Sequence, residues 1–178
     1  MQYLASKICK TWLLDAKSTD TPLIGVIEQL LINPDNFQIE MLGLSAGDSR
    51  PVRHYIRTDQ ISCDTKSGVM HASFDAVGVR DDFIRAQSAI DRHCELLRFR
   101  VIDENGKRIG RVSDYSFSVP LFRVERIHVT APVWRRFGST HLVIARSQII
   151  DVDNIKKLIK IKSGPITQRT KATQAIPA

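Results

Sequence analysis

A chain of 178 residues, 43% hydrophobic and 25% charged, is long enough for one ordinary domain or two small ones, and no apolar run reaches the roughly 20 residues of a membrane-crossing helix. Cys9, Cys63 and Cys94 are widely spaced, with no Cys-x-x-Cys pair, which excludes a disulfide framework and a zinc site and fits a reducing compartment. The net charge of +7 is local: Ile155 to Ala178 holds six basic residues and no acidic one, leaving 20 basic and 19 acidic residues in the rest of the chain.

Met1 to Leu14 mixes Lys7, Lys10 and Thr11 into its apolar residues and lacks the h-region of a signal peptide. It reads as a strand whose apolar end is Trp12-Leu13-Leu14. Pro22 to Ile32 is a second, core-crossing strand with Gly25 inside it, and Asn33 to Asn36 is a turn by composition. Phe37 to Leu44 alternates, with Phe37, Ile39 and Met41 on one side and Gln38, Glu40 and Leu42 on the other. Ser45 to Arg50 is a loop, Val52 to Ile61 a strand broken at Thr58-Asp59, and Val69 to Phe74 closes this half.

Arg80 to Leu97 carries the one helical pattern, with Phe83, Ala86, Ile90, Cys94 and Leu97 on one side and Asp81-Asp82 at the N-terminal end. Next comes a hairpin, Arg100 to Asp114, turning on Glu104-Asn105-Gly106, where an Asn-Gly pair tolerates positive φ. Gly110 sits inside its second strand, where a missing Cβ marks a bulge or a close backbone approach.

The two halves superpose by residue type. Gly25 and Gly110, Phe37 and Phe122, Ile39 and Val124, and Glu40 and Glu125 are each 85 residues apart. Tyr55 to Ile61 matches Val143 to Ile149 at a separation of 88, so the loop around Trp134 is longer than its counterpart. Similarity at a fixed offset indicates a duplicated unit. After Ser163-Gly164-Pro165 the composition turns to Thr, Gln, Lys and Ala, and disorder is expected there.

Val101-Ile-Asp-Glu-Asn-Gly-Lys-Arg-Ile-Gly-Arg-Val-Ser-Asp114 resembles the opening of a PRC-barrel domain, with Phe122 to Ile127, Leu142 to Val152 and Leu158 to Ile161 as its later strands. The match covers residues 96–163 well and residues 1–75 more weakly. The resemblance implies a mainly β protein made of two small PRC-barrel-like barrels in tandem joined by an α-helix. The expected boundaries are 1–78 for the first barrel, 79–95 for the linking helix, 96–164 for the second barrel and 165–178 for a flexible basic tail. Members of the family serve as adapters, among them the cytoplasmic domain of the photosynthetic reaction-centre H subunit and the C-terminal domain of the ribosome maturation factor.

Catalytic patterns are missing from the sequence: no G-x-S-x-G, H-E-x-x-H, Walker-type or G-x-G-x-x-G run occurs. The five histidines stand singly, and His93 and Cys94 are adjacent on the helical pattern, so they point apart. No enzyme, metal or cofactor is expected. The candidate partner-binding residues are Trp134, Arg135, Arg136 and Phe137, two aromatics bracketing two arginines, a mixture enriched at interface hot spots. The competing reading has Trp134 and Phe137 plugging the open end of the second barrel. A second candidate is the basic set Lys156, Lys157, Lys160, Lys162, Arg169 and Lys171, for nucleic acid or an anionic surface. Its competing reading is a lysine-guarded edge strand with one basic face. Gly25, Gly106 and Gly110 are expected to build turns and bulges. The leading expectation is a non-catalytic cytoplasmic adapter for a protein partner, in which a homodimer is conceivable; the alternative is an RNA-associated factor acting through its basic C-terminal region.

Overall fold

The computed structural model describes residues 2–17, 23–45, 54–64, 69–79, 82–83, 91–119, 121–132, 141–162 and 167–168. They form a mainly β fold with two sheets, within two compact units. One unit comprises Met1–Leu96 with Asp114–Glu125, the other Leu97–Ser113 with Arg126–Ala178. Residues 114–125, inside the expected second domain, therefore group with the first unit.

The first unit opens with β1 (Gln2–Leu4), the short helix α1 (Ala5–Ile8) and β2 (Trp12–Asp15). There follow β3 (Leu23–Ile32), β4 (Ile39–Ser45), β5 (His54–Arg57), β6 (Ser62–Cys63), β7 (Met70–Ala72) and β8 (Gly78–Val79). Their order in the sheet is β6-β7-β2-β3-β4-β5-β8, with β7 and β2 parallel and the other neighbours antiparallel. Leu13, Ile27, Ile39, Leu42 and Ile56 are all fully buried and form its core. In β4, both Met41 and Leu42 are buried, so the expected alternation fails: this central strand is covered on both faces. Phe83 packs on Leu31 and Met41 together with Tyr55.

The second half supplies β9 (Arg100–Asp103), β10 (Arg108–Ser118), β11 (Arg123–Thr130), β12 (His141–Ala145), β13 (Ile149–Asp153), β14 (Leu158–Ile161) and β15 (Thr167–Gln168). These run β13-β14-β9-β10-β11-β12-β15, and β1 pairs with the far end of β10, Gln2 opposite Ser118. This order is the order of the first sheet, strand for strand, including a parallel neighbour pair at the same place, β14 with β9. Among the described residues neither order closes on itself.

The equivalence extends to single backbone angles. Lys10 and Arg98, which precede the equivalent strands β2 and β9, are both left-handed, at φ 77° and 67°. Each is fixed the same way: the Lys10 N–H donates to Ile27 O, and the Arg98 N–H to Val112 O. Phe37 and Phe122 are left-handed too, at φ 62° and 46°. Within the first unit they exchange backbone bonds, Ile39 N to Phe122 O at 2.7 Å and Val124 N to Phe37 O at 3.0 Å. Exchanging each residue for its counterpart 85 positions away turns one bond into the other.

The Arg100–Asp114 hairpin forms, by a different turn from the one expected. Only Gly106 takes positive φ (79°), while Asp103 organises the loop by accepting the Asn105 N–H at 3.0 Å and the Lys107 N–H at 2.8 Å. Three further expectations change. Met1–Leu14 is not one strand, because α1 and a tight turn interrupt it. The helical pattern does not reach Leu97: residues 91–92 are helical, Cys94 bridges to Ile32, and Leu97 is exposed. Ala86 and Ile90, with most of the linking segment 79–95, lie outside the described residues. Finally, β14 is no edge strand, since β13 and β9 flank it on both sides.

Candidate binding site

An apolar groove of the first unit is built around β2. α1 ends at Ile8, and the chain turns at once through left-handed Lys10. Thr11 N donates to Ile8 O at 3.0 Å, and Ile27 N to Thr11 O at 2.9 Å, which ties the turn to β3. The strand that follows has Leu13 fully buried, so its neighbours Trp12 and Leu14 belong to the opposite face. There Trp12 stands opposite Val26 and Leu14 opposite Leu23. Ile8, Thr11, Trp12, Leu14, Leu23, Val69 and Met70 line a groove of about 440 Å³. Its walls include two of the exposed large hydrophobic side chains, Trp12 at 48% and Leu23 at 54%.

The groove was not among the sites expected from the sequence. The available signal was Trp12-Leu13-Leu14, three apolar residues in a row where a half-buried strand would alternate. Of the expected partner-binding residues, Trp134, Arg135, Arg136 and Phe137 lie outside the described residues, as do Arg169 and Lys171.

The basic run is described, and it is not one face. Lys156 and Lys157 belong to the turn between β13 and β14, and only Lys160 lies within the strand. Lys156 pairs with Asp153 at 3.1 Å. Its backbone and side chain both donate to that carboxylate, holding it below the usual carboxylate range. Lys160 stands opposite Asp151 on β13. Lys157 is left-handed, at φ 50°, and its carbonyl accepts the Arg100 N–H. Lys162 donates its N–H to Gln148 O. Two aspartates thus interleave with these lysines and divide the positive charge.

The three expected structural glycines have separate roles. A Cβ on Gly25 would lie 2.9 Å from Ser45 O, and one on Gly110 only 2.3 Å from Thr130 O. These are again residues 85 apart in both partners. Gly106 meets nothing within 4 Å and is needed for its angle alone. The thiols of buried Cys94 and half-buried Cys9 are held neutral: burial pushes Cys94 up to about 12 and Cys9 up to about 11. Among the described residues no group of three or more His, Cys, Asp and Glu could hold a metal ion, and no helix is long and apolar enough to cross a membrane. No family model matches the chain, and no curated protein compared with it is similar in sequence.

Proposed function

We propose that this chain is a non-catalytic adapter of PRC-barrel type, built from two small barrel-like units joined through residues 79–95, and that it binds a protein partner in the cytoplasm. The observation that carries this reading is the groove beside Trp12, where a half-exposed Trp, a half-exposed Leu and an adjoining Leu14 share one outward face of a fixed sheet. Apolar concavities rimmed by aromatic side chains are where association energy concentrates. The duplicated strand order and the close-approach glycines support the barrel-like part of the reading, because both shape the backbone and neither supplies chemistry. The interleaved Asp151 and Asp153 speak against RNA phosphates as the main target of the basic hairpin.

The test is capture from native lysate by the tagged full chain, with and without nuclease, read for protein and RNA. A protein partner recovered equally in both arms, and retained when residues 165–178 are removed, is the expected result. Recovery of ribosomal RNA, lost on nuclease treatment and falling steeply with salt, would overturn it in favour of an RNA-associated factor.

A further inference from the structure

From the groove and its internal counterpart we infer that the partner segment is an amphipathic helix carrying apolar side chains flanked by carboxylates; this rests on the adapter reading above. The duplicated copy acts as a control on what the fold requires. Leu13 stands opposite Gly25 in the first sheet, and Val101 opposite Gly110 in the second. One residue before, Trp12 corresponds to Arg100; one residue after, Leu14 and its neighbour Leu23 correspond to Ile102 and Arg108. In the parallel ladder Leu13 faces Met70 as Val101 faces Ile159, so Val69 corresponds to Leu158. Arg100 and Arg108 are both exposed. The same strand arrangement therefore forms with two arginines where the first copy has Trp12 and Leu23. Barrel-building does not call for the apolar pair, and water disfavours it. A covering partner accounts for both.

The backbone fixes how that partner engages. β2 is hydrogen-bonded to β7 on one side and β3 on the other, so no strand can be added beside it. What remains is side-chain insertion, as when the apolar stripe of a helix enters a groove. Charge selects among occupants. Lys7 and Lys10 are exposed, each directly preceding a groove-lining residue, Ile8 and Thr11, and neither makes an ion pair among the described residues. Carboxylates stand nearby as well, but none lines the groove: Asp15 accepts the Lys17 N–H, Asp114 accepts the Ser6 N–H and hydroxyl, and Glu28 accepts the Ser45 hydroxyl. A second copy meeting this face about a two-fold axis would set these lysines against themselves. The basic C-terminal segment, with no acidic residue after Ile155, carries the wrong sign. An acidic, amphipathic partner matches both the apolar walls and the rim.

The experiment titrates the full chain with a labelled amphipathic helical peptide that has leucines at i, i+3 and i+7 and glutamates flanking them. A twin with lysines for the glutamates is run beside it. The variant Trp12→Arg/Leu23→Arg copies residues the second sheet already carries, and its fold is checked by circular dichroism. Saturable binding of the acidic peptide, at least tenfold tighter than its twin at low salt and about 30-fold weaker in the double variant, is expected. Lys7→Glu/Lys10→Glu, which leaves the groove walls intact, should reverse the preference between the two peptides. Equal binding of both peptides, no saturable binding by the wild type, or an unchanged affinity in the double variant overturns the inference. So does sedimentation showing a wild-type dimer that the double variant dissolves, since the groove is then a self-interface. If lysate capture finds a protein partner that the double variant still retains, the groove assignment fails while the adapter reading stands.

Discussion

Three glycines separate two ways in which a missing side chain matters. A Cβ on Gly110 would lie 2.3 Å from the Thr130 carbonyl oxygen and 2.6 Å from the Val129 Cγ1, and Val129 is fully buried and cannot yield. Gly110→Ala should therefore cost about 1–3 kcal/mol, the usual range of overpacking. Gly25→Ala, at 2.9 Å from a carbonyl oxygen, should cost less. Gly106→Ala has open space and pays only for its left-handed angle, about 1 kcal/mol. Urea midpoints should place Gly110→Ala lowest, and equal losses at all three sites would contradict the assignment. The thiols make a second prediction. Burial raises Cys94 from 9.0 to about 12, so the fold retains a proton that the unfolded chain releases. The resulting stability is complete below the unfolded pKa near 9.0 and is lost as pH rises toward 12, to which Cys9 adds over a narrower window ending near 11. Cys94→Ala should flatten the alkaline limb of stability against pH, measured by urea unfolding; an unchanged limb would assign it elsewhere.

Among the elements, the β13–β14 hairpin shows best how a sequence pattern can mislead. Four lysines interleaved with isoleucines and a leucine look like a basic edge, yet β14 has neighbours on both sides and Lys160 faces Asp151. Reversing that cross-strand pair with Lys160→Glu should cost up to about 1 kcal/mol, and Asp151→Lys combined with it should restore the loss. A double-mutant cycle in urea checks this, and additive effects would show that the two side chains do not interact. The neighbouring Lys156–Asp153 pair is exposed on its lysine side, and Lys156→Ala should be nearly neutral. The Arg100–Asp114 hairpin was readable because local turn chemistry fixes it. The strand order around β14 was not, since a parallel partner more than 50 residues away leaves no local pattern. The short α1 was hidden for a similar reason: Ala5 to Ile8 forms a single turn, too brief for helical periodicity to register.

At the level of the whole chain, duplication was the most legible feature. The offsets of 85 and 88 found between residue types reappear in strand order, in the close-approach glycines, and in the left-handed pairs Lys10 with Arg98 and Phe37 with Phe122. The groove was not legible, because each of its residues is ordinary alone. It emerges only when register sets Trp12 and Leu23 on one face and the second copy shows Arg100 and Arg108 in their places. Similar copies preserve what the fold requires, and the places where they differ mark what each copy does. The most direct measurement is capture from nuclease-treated lysate by the wild-type chain and by Trp12→Arg/Leu23→Arg side by side, with the bound proteins identified by mass spectrometry. A protein held by the wild type and missing from the folded double variant is the expected result. Identical captured sets from the two chains would contradict it.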